Sequence, residues 1–317
     1  MVKVVTDSTC DIPLEVARKL SITIVPLYIQ FGGKTYRDGI ELNVDRLYYD
    51  LAHSQEIPKT SMPSPGDFIK VYSDLAKETD QIISIHLSPG YSSTCDVARL
   101  ARSYIEDKCR VEVIDSNSVS VGLALIVIAS AKAAQEGKNL DQVIELVHQI
   151  IPQVRMFGET NSFPPVLKGK RLRLTRGLIF LGKIGTALHT RILGEIYDGG
   201  KIRSPALVLG KKWALNKLKR WAQKFIDIKE IVIAYSTMPD EAEMLAERLK
   251  SLVPREHILI TRLGCATSTY VGPGAFAMAL ISGKQRQTIP TSHFEHSVKS
   301  ASARFGQSTV RGEDCLV

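Results

Sequence analysis

Short apolar strands alternate with helices over the first 155 residues, and three of the predicted strands end in hydroxyl-bearing side chains. Alternation of strands and helices is typical of a doubly wound parallel sheet. In such a sheet, ligands bind at the edge formed by the carboxyl ends of the strands. The strands at residues 2–6, 81–87 and 110–114 end in Asp7-Ser8-Thr9, in Ser88 to Thr94 and in Asp115-Ser116. The pattern therefore predicts one polar edge built from several loops.

The turn at residues 88–94 carries the densest group of hydroxyls and precedes a predicted helix. Pro89 and Gly90 break regular structure, and Ser92, Ser93 and Thr94 follow them directly. Hydroxyl side chains at this position are typical helix N-caps. A helix start also presents unpaired N–H groups and the positive end of the helix dipole, which together suit an anion such as a carboxylate. Capping and anion binding both remain open for this turn.

Two further segments carry groups suited to a binding site. Residues 58–65 contain three prolines, so we predict a stiffened loop without regular structure that carries Thr60 and Ser61, or else a plain connector. Residues 264–274 end in Gly272-Pro273-Gly274, which allows a close backbone approach, and include Tyr270, a phenol suited either to a site or to the core. The apolar run at 275–281 is predicted as a last helix, and the polar residues from 284 onward as a mobile tail.

The net charge of +8 is concentrated in one part of the chain. Residues 161–220 contain fourteen Lys or Arg and only Glu195 and Asp198, a local balance of +12. Such a face indicates an acidic partner, which is a protein, a nucleotide or a nucleic acid. The alternative is a solvated surface without a partner. No pattern of aromatic residues accompanies the charge, which disfavours stacking on nucleic-acid bases.

Several functional classes find little support in the sequence. No signal peptide is recognisable, and the longest apolar stretch, residues 119–131, is too short to span a bilayer, so we expect a buried helix there and a cytoplasmic protein. The five cysteines are scattered and the seven histidines lack metal-ligand spacing, so no disulfide framework, metal or cofactor is expected. Nucleotide-binding glycine motifs are also absent from the sequence.

A serine hydrolase that uses Ser92 is an alternative with weak support. The residues around it, Gly90-Tyr91-Ser92-Ser93-Thr94, lack the second glycine of a GxSxG motif. His86 should lie within the preceding strand, too far back to activate Ser92. Hydroxyls without a base suit binding better than catalysis. The simplest ligand for such a site beside apolar surface is a carboxylate with a hydrophobic tail.

Residues 1–283 resemble the DegV family of bacterial fatty-acid-binding proteins. Five segments carry the resemblance in the family's order. They are Val5-Thr6-Asp7-Ser8-Thr9-Cys10-Asp11, similar to a DST-x-D signature; Lys59-Thr60-Ser61-Met62-Pro63-Ser64, similar to a T-S-x-P-S loop; Ser92-Ser93-Thr94, where Ser-Gly-Thr is usual; Asp115-Ser116 with Gly122-Leu123; and Gly264 to Gly274, similar to a segment ending in H-x-G-P-G.

The resemblance implies a two-domain α/β protein with one fatty acid enclosed between the domains, here residues 1–155 and 156–283, followed by a tail at 284–317. Its carboxylate would be held by Thr60 and Ser92 and by a late histidine, at whose position this chain has Tyr270. The remaining ligand-binding residues implied are Ser61, Ser93, Thr94, Gly272 and the turn Asp7, Ser8 and Thr9.

The resemblance also implies a carrier without catalytic residues of its own, which presents the fatty acid to a separate ATP-dependent kinase that makes acyl phosphate. Residues expected to face that partner are Arg171, Arg203, Lys211 and Lys212. Two departures lie in this region. Gly169-Lys170-Arg171 replaces the common Gly-Gly-Arg, and an arginine of the family's basic motif is missing around residues 209–212.

Overall fold

The computed structural model describes residues 1–54, 56–160, 190–197, 199 and 201–285. The predicted partner residue Arg171 and the tail beyond residue 285 lie outside this part of the chain.

The N-terminal part of the chain forms a four-stranded parallel sheet, as its strand–helix alternation predicted. Its strands are β1 (Lys3–Asp7), β2 (Ile22–Val25), β6 (Gln81–His86) and β7 (Arg110–Asp115), in the order β2-β1-β6-β7. Helices cover both faces, which confirms a doubly wound arrangement: α1 (Leu14–Lys19), α3 (Pro65–Leu75), α4 (Thr94–Arg102), α5 (Ser120–Gln135) and α6 (Leu140–Ile150). The strand order reverses between β1 and β6, where such sheets leave a crevice for ligands.

A small antiparallel sheet lies between β2 and α3 in the sequence. It contains β3 (Tyr28–Phe31), β4 (Lys34–Arg37) and β5 (Lys59–Ser61). The helix α2 (Val44–Ala52) follows β4 and is capped by Asn43, whose side chain accepts from the Arg46 amide. The prediction of no regular structure at residues 58–65 is therefore wrong at β5. Prolines flank this strand without entering it, so Lys59–Ser61 can pair with β3 and place Thr60 opposite Ile29.

The C-terminal part of the chain forms a six-stranded, mostly antiparallel sheet in the order β10-β9-β8-β14-β12-β13, in which only β12 and β13 pair in parallel. Its strands are β8 (Val154–Thr160), β9 (Thr190–Tyr197), β10 (Lys201–Leu209), β12 (Ile231–Tyr235), β13 (Ile258–Arg262) and β14 (Phe276–Ile281). The helices described here are α7 (Gly210–Ala222), α8 (Pro239–Leu249) and α9 (Cys265–Val271).

Two predictions for the last part of the chain are wrong. The apolar run at 275–281 is not a helix but the strand β14, which is buried on both faces between β8 and β12. A short apolar run without polar residues has no period that separates helix from strand. Lys284–Gln285, which the prediction assigned to the tail, forms the strand β15, paired with β11 (Phe225–Ile226).

Helix α5 lies between the two large sheets and joins their cores. Twelve of its sixteen residues are buried, and it packs against β1 on one side and against β12 and β14 on the other. The prediction of a buried helix at residues 119–131 is confirmed. In the described part of the chain, no helix is both long enough and apolar enough to cross a membrane.

Candidate functional site

A cavity of about 560 Å³ lies where the polar edge of the parallel sheet meets the six-stranded sheet. Its walls come from the loops after β1 and β6, from β5, from the start of α5, and from β8, β9, β10, α9 and β14. Most of the lining is apolar and includes Leu87, Met156, Ile192, Ile196, Ile202 and Leu263. This volume lies within the range of small-molecule sites, and a mostly apolar wall suits a hydrocarbon ligand.

Six of the ten predicted ligand-binding residues line this cavity. They come from four separate segments of the chain and are Thr9, Thr60, Ser61, Ser92, Ser93 and Tyr270. The other four, Asp7, Ser8, Thr94 and Gly272, lie behind this wall and are not part of the lining.

The turn that carries Ser92 does not cap helix α4 with its side chains. The helix begins at Thr94, and Ser93 occupies the cap position without a side-chain hydrogen bond to the helix backbone. The capping interpretation is therefore wrong for Ser93. The Ser92 and Thr94 hydroxyls lie 3.0 Å apart, so the buried Thr94 holds Ser92 at the edge of the cavity.

Thr60 and Tyr270 meet across the cavity wall. Their side-chain oxygens lie 2.5 Å apart, with Thr60 fixed by the pairing of β5 and Tyr270 by helix α9. Gly272 ends that helix with a φ of 75°, which favours glycine, and its carbonyl accepts a 3.0 Å hydrogen bond from the Tyr48 hydroxyl. Gly272 thus shapes the segment that presents Tyr270.

Asp7 and Ser8 hold the first loop in place from behind the cavity. The buried Asp7 carboxylate accepts hydrogen bonds from the Thr9 amide at 3.1 Å and the Thr9 hydroxyl at 2.5 Å. Its second oxygen accepts from the Leu87 amide at 3.0 Å, which ties the β1 loop to the β6 loop. The Ser8 hydroxyl accepts from the Leu27 amide at 3.0 Å.

A buried chain of hydrogen bonds at His86 has the residue types of a hydrolase triad but not its exposure. The Ser84 hydroxyl lies 2.7 Å from His86 Nε2, and His86 Nδ1 lies 3.0 Å from Asp7. Ser84 also accepts from the Tyr72 hydroxyl at 2.7 Å, and neither Ser84 nor His86 lines the cavity. Since Ser84 and His86 are fully buried, these hydrogen bonds orient Asp7. His86 therefore does not act as a base for Ser92.

Several polar residues at the cavity had not been predicted as part of the site, and three of them, Ser120, Thr267 and Glu159, contact buried charged groups. Ser120 and Thr267 line the cavity and donate to Asp11, at 2.5 Å and 3.3 Å. Burial raises the pKa of Asp11 to about 7 and that of Asp38 to about 6. Asp11 was visible only as the last residue of the first motif, and the sequence carries no signal that pairs it with residues more than a hundred positions away.

The third of these polar residues is Glu159, on strand β8. Its side chain forms an ion pair with Arg191, which also binds Glu241 of α8 at 2.7 and 3.0 Å. Burial raises the pKa of Glu159 to about 7, although the nearby Arg191 opposes this shift. The buried cluster of Glu159, Arg191 and Glu241 thus connects β8, β9 and α8 beside the cavity.

Gly199, which lies between β9 and β10, is in contact with Gly90 in the turn after β6. A Cβ atom on Gly90 would lie only 2.2 Å from the Gly199 carbonyl oxygen, so two backbones are in direct contact. Gly199 has a φ of 66°. Glycine is therefore required on both sides of this contact.

Three of the predicted partner-facing residues, Arg203, Lys211 and Lys212, are not part of the cavity lining. Arg203 binds Glu195 through two hydrogen bonds of 2.9 and 2.7 Å, and its guanidinium lies 4.8 Å from the centre of the Tyr197 ring. Lys211 and Lys212 are exposed in the first turn of α7. Within the described ranges, no group of three or more His, Cys, Asp or Glu residues could hold a metal ion.

Comparison with known proteins identifies the family. Residues 1–283 match the family model described as "uncharacterised protein, DegV family". This chain belongs to the DegV family. A DegV domain-containing protein of Deinococcus radiodurans is 30% identical over 292 residues, which cover 88% of this chain and 98% of that protein.

Two solved DegV structures share the fold. A DegV family protein from Thermus thermophilus, described by its fatty acid binding, is 27% identical with a TM-score of 0.77, covering 89% of this chain and 99% of that one. The fatty acid kinase B3 protein of Streptococcus pneumoniae, described as loaded with linoleic acid, has the same TM-score of 0.77 and the same coverage of 89% and 99%. At 22% identity, the second likeness supports the fold only.

Proposed function

We propose that this protein binds one long-chain fatty acid in the cavity, with its head group held by hydroxyl side chains. The observation that carries this proposal is an apolar cavity with a wall of hydroxyls from four segments of the chain. The cavity volume of about 560 Å³ lies within the range of small-molecule sites. The Thermus relative, which is described by its fatty acid binding, supports the same ligand class.

In this proposal, Thr60 and Ser92 hold the carboxyl group. Ser61, Ser93 and Tyr270 complete the first layer of contacts, and Thr94 orients Ser92 from behind. Asp7 and Ser8 fix the loop that presents Thr9, and Gly272 fixes the end of α9.

The proposal extends to a carrier role without catalytic residues of its own. The fatty acid would be presented to a separate ATP-dependent kinase, with the cytoplasm, where ATP is available, as the place of action. A basic face that includes Arg171, Arg203, Lys211 and Lys212 would contact that kinase. The same proposal divides the chain into domains at residues 1–155 and 156–283.

Mass spectrometry of the organic extract of the purified protein tests the ligand class. We expect one long acyl chain per protein molecule, because an apolar cavity of this size stays poorly hydrated when empty. The same protein, delipidated and then offered hexadecanoic acid, serves as the control for fortuitous co-purification. Absence of any acyl chain in the extract, together with no uptake of the added acid, would overturn the proposal.

Replacement of Ser92 by Ala tests the position of the head group. We expect fatty acid binding to weaken by about 1–3 kcal/mol, because a buried acceptor of the ligand loses its donor. Isothermal titration of the delipidated variant measures this change. Ser103→Ala is the matched control, since Ser103 ends the same helix in an exposed position and bonds only the Leu100 carbonyl. Equal affinities for both variants would move the head group away from Ser92.

A further inference from the structure

Three hydroxyls of the cavity wall donate their protons away from the cavity. Thr9 donates to Asp7 at 2.5 Å, Ser120 donates to Asp11 at 2.5 Å, and Thr267 donates to Asp11 at 3.3 Å. Each hydroxyl has a single proton and two lone pairs. Toward the cavity, Thr9, Ser120 and Thr267 therefore present only acceptors, and we call these three side chains the acceptor wall.

The direction of these bonds is set by the carboxylates behind them. Asp7 already accepts from the backbone amides of Thr9 and Leu87, and Asp11 accepts from the Gly264 amide at 2.8 Å. Ionised carboxylates accept hydrogen bonds and donate none. Because burial raises the pKa of Asp11 only to about 7, this group is ionised at pH 8 and accepts the hydrogen bond from the Ser120 hydroxyl.

The acceptor wall adjoins the hydroxyls that can donate. Thr267 and Tyr270 are three residues apart on α9, so their side chains lie on the same face of the helix. Among the described lining residues there is no Lys, Arg or His. The titratable and charged groups around the wall are Asp7 at the end of β1, Cys10 and Asp11 after β1, Asp38 after β4, His86 on β6, Tyr91 after β6, Glu159 on β8 with Arg191 on β9, and Cys265 and Tyr270 on α9.

We propose that the fatty acid is held as the neutral acid, with its O–H group donating to the acceptor wall and its carbonyl oxygen accepting from the adjoining hydroxyls. A neutral carboxyl group presents one donor and one carbonyl acceptor, which matches a wall of each kind. An ionised carboxylate presents acceptors only and would face both the lone pairs of the wall and the charges of Asp7 and Asp11. This inference rests on fatty acid binding in the cavity.

The protonation state of the bound acid can be measured directly. Delipidated protein is loaded with hexadecanoic acid carrying ¹³C at the carboxyl carbon, and its ¹³C NMR spectrum is recorded from pH 5 to pH 9. A carboxyl group in water loses its proton at a pH of about 4 to 5. We expect the bound resonance to remain at the neutral-acid position at pH 8. A resonance at the carboxylate position at pH 8 would overturn the inference.

Asp11→Asn tests whether Asp11 causes the cavity to prefer the neutral acid over the ionised one. The amide oxygen keeps the bond from Gly264, while the amide nitrogen donates to Ser120 and turns the Ser120 proton toward the cavity. We expect the proton affinity of the bound acid to fall by at least about tenfold, or one pH unit. Asp45→Asn is the control, because Asp45 is exposed and pairs with Arg262 outside the cavity. Equal titration curves for the two variants would contradict the role of Asp11.

Thr267→Val provides a second variant that leaves every residue of the loop after β1 unchanged and removes one of its hydrogen bonds. It preserves the side-chain shape and removes one acceptor, so we expect the proton affinity of the bound acid to fall in the same direction. An unchanged curve would remove Thr267 from the acceptor wall.

If labelled acid binds but is ionised at pH 5–9, the neutral-acid inference fails and fatty acid binding stands. If no labelled acid binds, the proposed function itself fails.

Discussion

The free energy of unfolding should fall by about 3–5 kcal/mol when Arg191 is replaced by Met, because two buried carboxyl groups then lose their cation. Arg191 contacts Glu159 and Glu241 where both carboxyl side chains are shielded from water. Glu159 already leaves its Oε2 atom without a hydrogen-bond partner in the described part of the chain. In the variant, Glu159 and Glu241 must find other partners or take up protons. Urea unfolding of the unmodified protein and of Arg191→Met at pH 8 measures the difference in the free energy of unfolding.

Arg203→Met is the matched control for this experiment. Arg203 and Glu195 form an equally well-aligned pair on the same sheet, but the Arg203 side chain is 53% exposed. Exposed pairs contribute at most about 1 kcal/mol, because solvent screens them. Losses of similar size in the two variants would show that burial of the Arg191 group does not determine its contribution.

Stability should decrease as the pH rises from 5 to 8. Burial raises the pKa of Asp11 to about 7, that of Asp38 to about 6 and that of Glu159 to about 7. The folded state therefore binds more protons than the unfolded state between about pH 4 and pH 7, and stability falls with rising pH in that window. Each group contributes on the order of 2 kcal/mol over this interval. Urea unfolding at pH 5, 6.5 and 8 checks the direction.

Asp11→Asn should flatten this pH dependence, because the variant lacks one of the three titrating groups. Asp45→Asn again serves as the control. Asp45 is exposed, and its hydrogen bonds with Arg262 lower its pKa, so this carboxyl group makes no contribution of the same sign. A stability that rises steadily from pH 5 to pH 8 in the unmodified protein would contradict the raised pKa values of the buried carboxyl groups.

The parallel sheet and its polar edge were predictable from the sequence. The loops after β1 and β6 carry Thr9 and Ser92, and the chemistry of these two side chains is evident from the sequence without the fold. Parallel strands bring their carboxyl ends to one edge, so sequence order alone places these loops together.

The remaining features depend on long-range packing. The run at 275–281 became a strand because it lies between β8 and β12, which its composition does not reveal. The donation of Ser120 and Thr267 to Asp11 joins positions separated by 109 and 256 residues. Hydrogen-bond direction, which decides whether a hydroxyl donates to a ligand or accepts from it, follows from such partners and not from residue type.

Because Gly90 and Gly199 meet through their backbones, the loop after β6 and the segment between β9 and β10 approach each other only where neither position carries a side chain. A Cβ atom at residue 90 would force the two segments apart, although they belong to different sheets. The distance between these two parts of the fold thus depends on the absence of a single carbon atom.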